Sequence, residues 1–388
     1  MVELYHRRFV LLLGVSLAAA VFTAPLTALL PAYVEEQLEL LPRFTGLLAA
    51  AQMSVAAALF PIGGALADHV GYKRTLLLGL TGGAVSGLVF LVSSSPLLVT
   101  AAAVIGAGFA LQTVGGQSYL LRVTHGSRLG IRAALFFIGS TLGGSLGSLI
   151  IGPMADRWGY RAMGGVMFGG MMMVIVFALL FLPAVPLPAA SRRRTWRSGF
   201  AGYGDLLRRS QVRWLLAVRF LATFTWGMAI VAFPYLLFVH TGTERQPAFY
   251  TAASLAVAAA AQVVTGRMVD RFGVLWPVRM APICLVLSCC CAAIWVDSLF
   301  GLWVFGIALT ASAWSLSTTM PALMSTMSTE HEKGRIVGAA HVAWALGMAL
   351  GGISAGWLLE LDRSVCYQVG SIFSVATVVC AWHVTRRQ

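Results

Sequence analysis

Charge along this chain is confined to short islands. Asp, Glu, Lys and Arg are absent from residues 9–31, 44–67, 75–121, 133–155, 162–191, 220–243, 246–266, 280–296, 298–329, 336–359 and 364–385. A helix needs about 20 apolar residues to cross the hydrocarbon of a bilayer. Each of the eleven stretches therefore predicts a membrane-crossing helix. The stretch 75–121 is long enough for two, and Ser93-Ser94-Ser95-Pro96 breaks it near its middle. The expected number of spans is twelve. Backbone groups in lipid must be satisfied within the segment, which a helix achieves. Strong period-two alternation is absent, which disfavours a membrane β-barrel.

Composition agrees. Hydrophobic residues make up 59% and charged residues 11%, against roughly 25% charged in soluble domains. Mean hydropathy is +0.83. A soluble enzyme, a disordered chain and a secreted disulfide scaffold are excluded. Arg7-Arg8 followed by an apolar run and Ala18-Ala19-Ala20 has the look of a secretory signal. The run is too long for one and eleven more spans follow, so the first helix is expected to be retained.

The net charge of +13 admits two readings, a nucleic-acid binder or a membrane protein with basic cytoplasmic loops. Position decides. With a cytoplasmic N-terminus and twelve spans, 21 of the 27 Lys and Arg residues fall on cytoplasmic segments. Arg43, Arg157, Arg161, Arg245 and Arg363 fall outside, and Arg219 falls within a span. The first external loop carries Glu35, Glu36 and Glu39. The reading is a multi-pass protein with both termini cytoplasmic, of the kind found in a bacterial inner membrane, with no nucleic-acid partner. Cys284, Cys289, Cys290, Cys291, Cys366 and Cys380 lie in apolar segments without disulfide spacing and read as small packing residues.

The longest polar connection is 184–212, which holds Pro186, Pro188 and the basic run Arg192-Arg193-Arg194. It separates a six-helix bundle, 1–183, from a second, 213–388. Its basic cluster suits anionic headgroups, and Tyr203–Arg209 is expected to form a short interfacial helix. The halves repeat. Pro31 matches Pro234 at an offset of 203, Gly64–Gly71 matches Gly266–Gly273 at 202, and Leu146-Gly147 with Gly152 matches Leu350-Gly351 with Gly356 at 204. Internal repeats of this kind are a transporter signature.

The segment Gly64-Ala65-Leu66-Ala67-Asp68-His69-Val70-Gly71-Tyr72-Lys73-Arg74 is similar to the cytoplasmic signature of the major facilitator superfamily, Gly-x-Leu-Ala-Asp-Arg-x-Gly-Arg-Lys. A degenerate copy holds Gly266, Asp270, Arg271 and Gly273. Glu332-Lys333-Gly334-Arg335 and Gly152–Arg161 also look family-like. The resemblance covers essentially the whole chain. It implies an all-α membrane fold of twelve helices in two pseudo-symmetric halves, and a secondary transporter. It also implies that Asp68 clamps the halves on the cytoplasmic side near Arg335, with Arg271 in a mirrored clamp. His69 stands where the family usually has Arg or Lys, and Tyr72 replaces a second basic residue. With His69 in the clamp, transport would respond to pH near neutrality.

Solutes are expected to bind near the midplane between the halves, where polar residues are costly and so informative. The candidates are Thr23, Thr27, Gln52, Gln112, Gln117 and Ser140 in the first half. The second half offers Arg219, Thr223, Trp226, Gln262, Trp314, Ser315, Thr318, His341 and Trp344. Arg219 has two readings: an anchor for an anionic group, or a side chain snorkelling to the headgroups. His341 either carries a proton or contacts solute, or is a neutral residue bonded across helices. Met171-Met172-Met173 and Cys289-Cys290-Cys291 do not form a metal site, because consecutive helical residues diverge. Asp and Glu are absent from the spans, which weakens proton antiport, and no phosphate-binding loop is present. No cofactor and no catalytic residue is expected.

The reading is a secondary transporter of a small organic solute working by alternating access, with efflux preferred and protons as one candidate coupling ion. The alternatives are an organic-anion or metal-chelate carrier using Arg219, and a non-transporting membrane scaffold or sensor on the same fold.

Overall fold

The computed structural model describes residues 2–123, 129–185, 203–327 and 333–386. Twelve long helices run through them: α1 Val2–Glu36, α2 Pro42–Val70, α3 Tyr72–Leu88, α4 Ser95–Val123, α5 Leu129–Ile150, α6 Met154–Phe181, α7 Ser210–Thr241, α8 Arg245–Phe272, α9 Leu275–Ile294, α10 Leu299–Met327, α11 Lys333–Leu361 and α12 Val365–Thr385. A short helix, Tyr203–Arg208, precedes α7, where one was expected. Among the described residues there is no strand. Eleven of the long helices hold a span apolar enough to cross a bilayer, and the apolar part described in α5 is the shorter Leu135–Ile150.

The break in 75–121 falls where the Ser-Pro signal placed it. A single 3₁₀ turn, Val89–Leu91, ends α3, and α4 starts at Ser95. Pro96 occupies the first turn of α4, where its missing N–H would have had no partner in any case.

The chain forms two compact units. One comprises residues 1–26 with 55–201, the other 27–54 with 202–388. This departs in one respect from the division expected at 1–183 and 213–388: the end of α1 and the start of α2 pack with the second unit. The reason is visible in α11. A Cβ at Gly46 would come within 2.5 Å of the Gly352 carbonyl oxygen, and one at Gly356 within 2.7 Å of Arg43 Cα. Small residues let these helix backbones approach. Arg43 adds polar contacts, its backbone N–H donating to Glu360 Oε1 at 3.1 Å and its guanidinium lying over Trp357.

Inside each unit the repeat is a packing scheme as well as a sequence pattern. Gly143 and Gly147 of α5 lie on the Leu17 and Val21 carbonyls of α1. Gly347 and Gly351 of α11 lie on the Phe220 and Phe224 carbonyls of α7. The paired positions differ by 203 or 204 residues. In the first unit α3 and α4 also close on a glycine pair, a Cβ at Gly82 falling 2.5 Å from Gly108 Cα. Buried Leu12, Leu76, Leu80, Tyr119 and Met171 fill the core of the first unit. Leu215, Phe233, Leu285, Leu302 and Leu323 fill that of the second.

Candidate functional site

Two groups of residues were singled out by sequence, the signature loops and the polar positions within spans. In the signature loops the backbone carries the message. Gly71, Gly159 and Gly273 each follow an Asp by three residues. They have φ of 104°, 81° and 79° with ψ of 145°, 161° and 168°. A side chain is strained in that region, which glycine enters freely. Three copies of one turn therefore join α2 to α3, open α6 and close α8.

The side chains of Asp68, His69 and Arg335 lie outside the described residues, as does everything about Gly64 beyond its helical backbone. Lys73 has another task. Its Nζ donates to the Leu179 carbonyl at 2.8 Å, capping one of the last α6 carbonyls that have no helical partner. Arg74 and Asp270 are exposed, and Arg271 lies over Phe272 at 5.4 Å. A Cβ at Gly266 would meet open space.

The span residues divide by unit. In the first, Gln112 and Gln117 are half-buried on α4. The α3 backbone lies so close to α4 that a Cβ at Gly79 would strike Gln112, and one at Gly83 would come within 3.6 Å of Gln112 Oε1. Gln112 thus stands in a glycine-walled gap. Thr23 and Ser140 spend their hydroxyls on their own helices, bonding Ala19 and Phe136. Thr27 is exposed and Gln52 half-buried, both in the portion that packs with the second unit.

The second unit gathers its candidates more tightly. Arg219, Thr223 and Trp226 follow one another on α7 at spacings of four and three, so they share a face. Arg219 Nη1 donates to Ser317 Oγ on α10 at 2.6 Å. One turn before Ser317, Trp314 meets Trp226 edge-on, with ring centroids 5.4 Å apart. Thr223 Oγ1 has one proton and three carbonyls within reach, those of Arg219 and Phe220 on its own helix and of Trp344 on α11. Thr318 bonds back to the Trp314 carbonyl. The structure therefore brings Arg219, Thr223, Trp226, Trp314 and the Trp344 backbone to one patch, with Ser317 added. His341 is half-buried one turn before Trp344. Gln262 is 5% exposed on α8 with its Oε1 unpartnered.

The bond to Ser317 bears on the two readings of Arg219. Snorkelling needs the side chain to run along its own helix toward the headgroups. Here the guanidinium also reaches a neighbouring helix, through Ser317. Among the described residues it meets no carboxylate. Arg219 lies short of the middle of α7, so its cost is below the roughly 2.5–3.5 kcal/mol of an arginine at the centre of a span, and one neutral hydroxyl supplies no counter-charge. Ser317 was missed at the sequence level because Ser and Thr are common in spans. Its spacing of three from Trp314 was the signal that could have found it.

Comparison with known proteins fixes the class. The sequence matches the Major Facilitator Superfamily over residues 11–246 and 215–388, and the chain belongs to that family. It is a multi-pass membrane transporter, not an enzyme. A mutant of the nucleoside transporter NupG superposes with a TM-score of 0.80 at 14% identity, over 98% of this chain and 99% of that one. The human organic anion transporter MFSD10 (TETRAN) gives 0.73 at 17% identity, over 98% and 99%. A POT family transporter in complex with a thioalcohol-conjugated peptide gives 0.77 at 12%, over 97% and 96%. At these identities the likeness is one of fold. No curated protein sequence matched.

Proposed function

We propose that this chain moves a small organic solute across a bacterial inner membrane by alternating access, with both termini cytoplasmic and efflux the preferred direction. The observation that carries the reading is the duplicated glycine packing of α1 on α5 and α7 on α11, within a chain that matches a transporter family along its length. The basic residues of the connecting segments support the orientation. The indole-rich patch of α7 and α10 supports an amphipathic solute. The solved relatives handle nucleosides, organic anions and peptides by their names, which is consistent with a small organic cargo here.

A proton is one candidate coupling ion, and uniport is an alternative. With no Asp or Glu in the charge-free stretches, His341 is the titratable candidate in α11. The deciding experiment is solute flux in liposomes holding the purified protein, with and without a pH gradient. Protein that moves no member of a broad solute panel, yet retains a protein partner, would support the scaffold alternative instead. Flux indifferent to the pH gradient would remove the proton.

A further inference from the structure

The patch around Arg219 has an unbalanced polar inventory. A guanidinium offers five N–H donors. Arg219 makes one hydrogen bond, to the Ser317 hydroxyl, and faces no carboxylate among the described residues. Trp314 Nε1 is shielded from solvent and has no acceptor. Trp314 and Ser317 stand three apart on α10 and so face the same side. The Thr223 hydroxyl is spent on backbone carbonyls. What remains unmet at Arg219 and Trp314 is donor capacity, and one of the donors carries a full charge.

Apolar surface frames those donors. The Trp226 and Trp314 rings meet edge-on at 5.4 Å, and both residues are partly accessible, as is Arg219. A cation that meets no carboxylate among the described residues invites one from outside. Acceptor-only anions fit, and oxyanions that present two oxygens to the fork match a guanidinium best. The paired indoles, on the same helix faces as Arg219 and Ser317, suit an aromatic body.

We propose, resting on the transport reading above, that the solute is an organic anion with an aromatic body, an aryl carboxylate or sulfonate. Its charged group lies on Arg219 and accepts the Trp314 indole N–H, and its ring lies against Trp226 and Trp314. Ser317 is a positioning residue that holds the guanidinium toward α10.

The test uses the full chain in detergent and four probes of one shape: 2-naphthoate, 2-naphthalenesulfonate, neutral 2-naphthylmethanol and cationic 2-naphthylmethylammonium. Binding is read by tryptophan fluorescence and by the thermal midpoint. The two anions should bind wild type at least about 10-fold more tightly than the alcohol. Arg219→Gln should lose roughly 10- to 100-fold for naphthoate, with the alcohol unchanged within about twofold. Arg219→Lys should fall between, because it keeps the charge but not the planar fork. Trp314→Phe should cost naphthoate a few-fold, of order one hydrogen bond.

Equal affinity for alcohol and carboxylate, no naphthoate binding by wild type, or a folded Arg219→Gln that binds naphthoate normally would each overturn the proposal. The wild-type probe series decides even where Arg219→Gln does not fold. Liposome flux separates the two readings. Protein that binds naphthoate and moves nothing sinks transport and leaves the site. Protein that carries the alcohol and ignores naphthoate sinks the site and leaves transport.

Discussion

The two units share a scaffold and differ in what it holds. In both, a glycine pair on one helix rests against the carbonyls of another, Gly143 and Gly147 on α1, Gly347 and Gly351 on α7. The first unit places amides beside that scaffold, Gln112 and Gln117, which both donate and accept. The second places a cation and two indoles, Arg219 with Trp226 and Trp314. Backbone approach is repeated and side-chain chemistry is not. On the anion reading, selectivity would rest with the side chains of the second unit, on a frame common to both.

The strongest way to break that comparison is to fill the glycine contacts. Gly147→Val and Gly351→Val each drive a side chain into backbone, which cannot move as a flexible side chain can. Overpacking typically costs 1–3 kcal/mol, roughly, and more against a rigid obstacle. Both variants should lose monodisperse protein on size exclusion, while Gly266→Val, which points into open space, should elute normally. Tolerance of Gly147→Val alone would end the equivalence.

Next in size is the chemical asymmetry. Arg219→Gln should remove most naphthoate affinity, whereas Gln112→Leu should change it by less than about threefold, of the order of a weak neutral hydrogen bond. An equal loss from both would move the anion site into the first unit as well.

A smaller effect distinguishes the loop copies. Lys73 bonds the Leu179 carbonyl, and the position 202 residues on is Leu275. Lys73→Met should lower stability by about 1 kcal/mol, one hydrogen bond, seen as a drop of a degree or two in the thermal midpoint. Leu275→Met should leave the midpoint unmoved.

The smallest concerns acid. Asp362, between α11 and α12, accepts from the Ser364 hydroxyl and backbone N–H at 2.6 and 2.7 Å. These bonds hold its carboxyl below the usual value. A depressed folded-state pKa gives stability that is present above the unfolded value and lost as pH falls through the folded one. Asp362→Ala should flatten the thermal midpoint's dependence on pH below about 4. The effect is slight, because the group is fully solvated. The matching position in the first unit is Trp158, so no such slope should arise there.

Much of this was legible in the sequence, for reasons of range. Charge-free runs are local, so the twelve helices and the break at Ser93–Pro96 could be read directly. Glycine offsets are a pattern in the chain, so the repeat could be read too. Packing between distant segments could not. Nothing near Arg43 announces Glu360, 317 residues away, and so the attachment of residues 27–54 to α11 escaped. Lys73 was grouped with the clamp by its motif, yet its ammonium reaches α6. The side of α7 on which Arg219 meets a neighbour depends on where α10 lies, which neither periodicity nor charge counting reveals.

That Arg219 meets no carboxylate among the described residues has a consequence for membrane voltage. On the anion reading, the empty carrier holds a positive site and the loaded carrier a neutral one. The resting potential, worth about 2.3 kcal/mol per charge per 100 mV, then acts on the unloaded return stroke rather than on delivery. An inside-negative cell would pull the vacant site back toward the cytoplasm, and each turnover would export net negative charge.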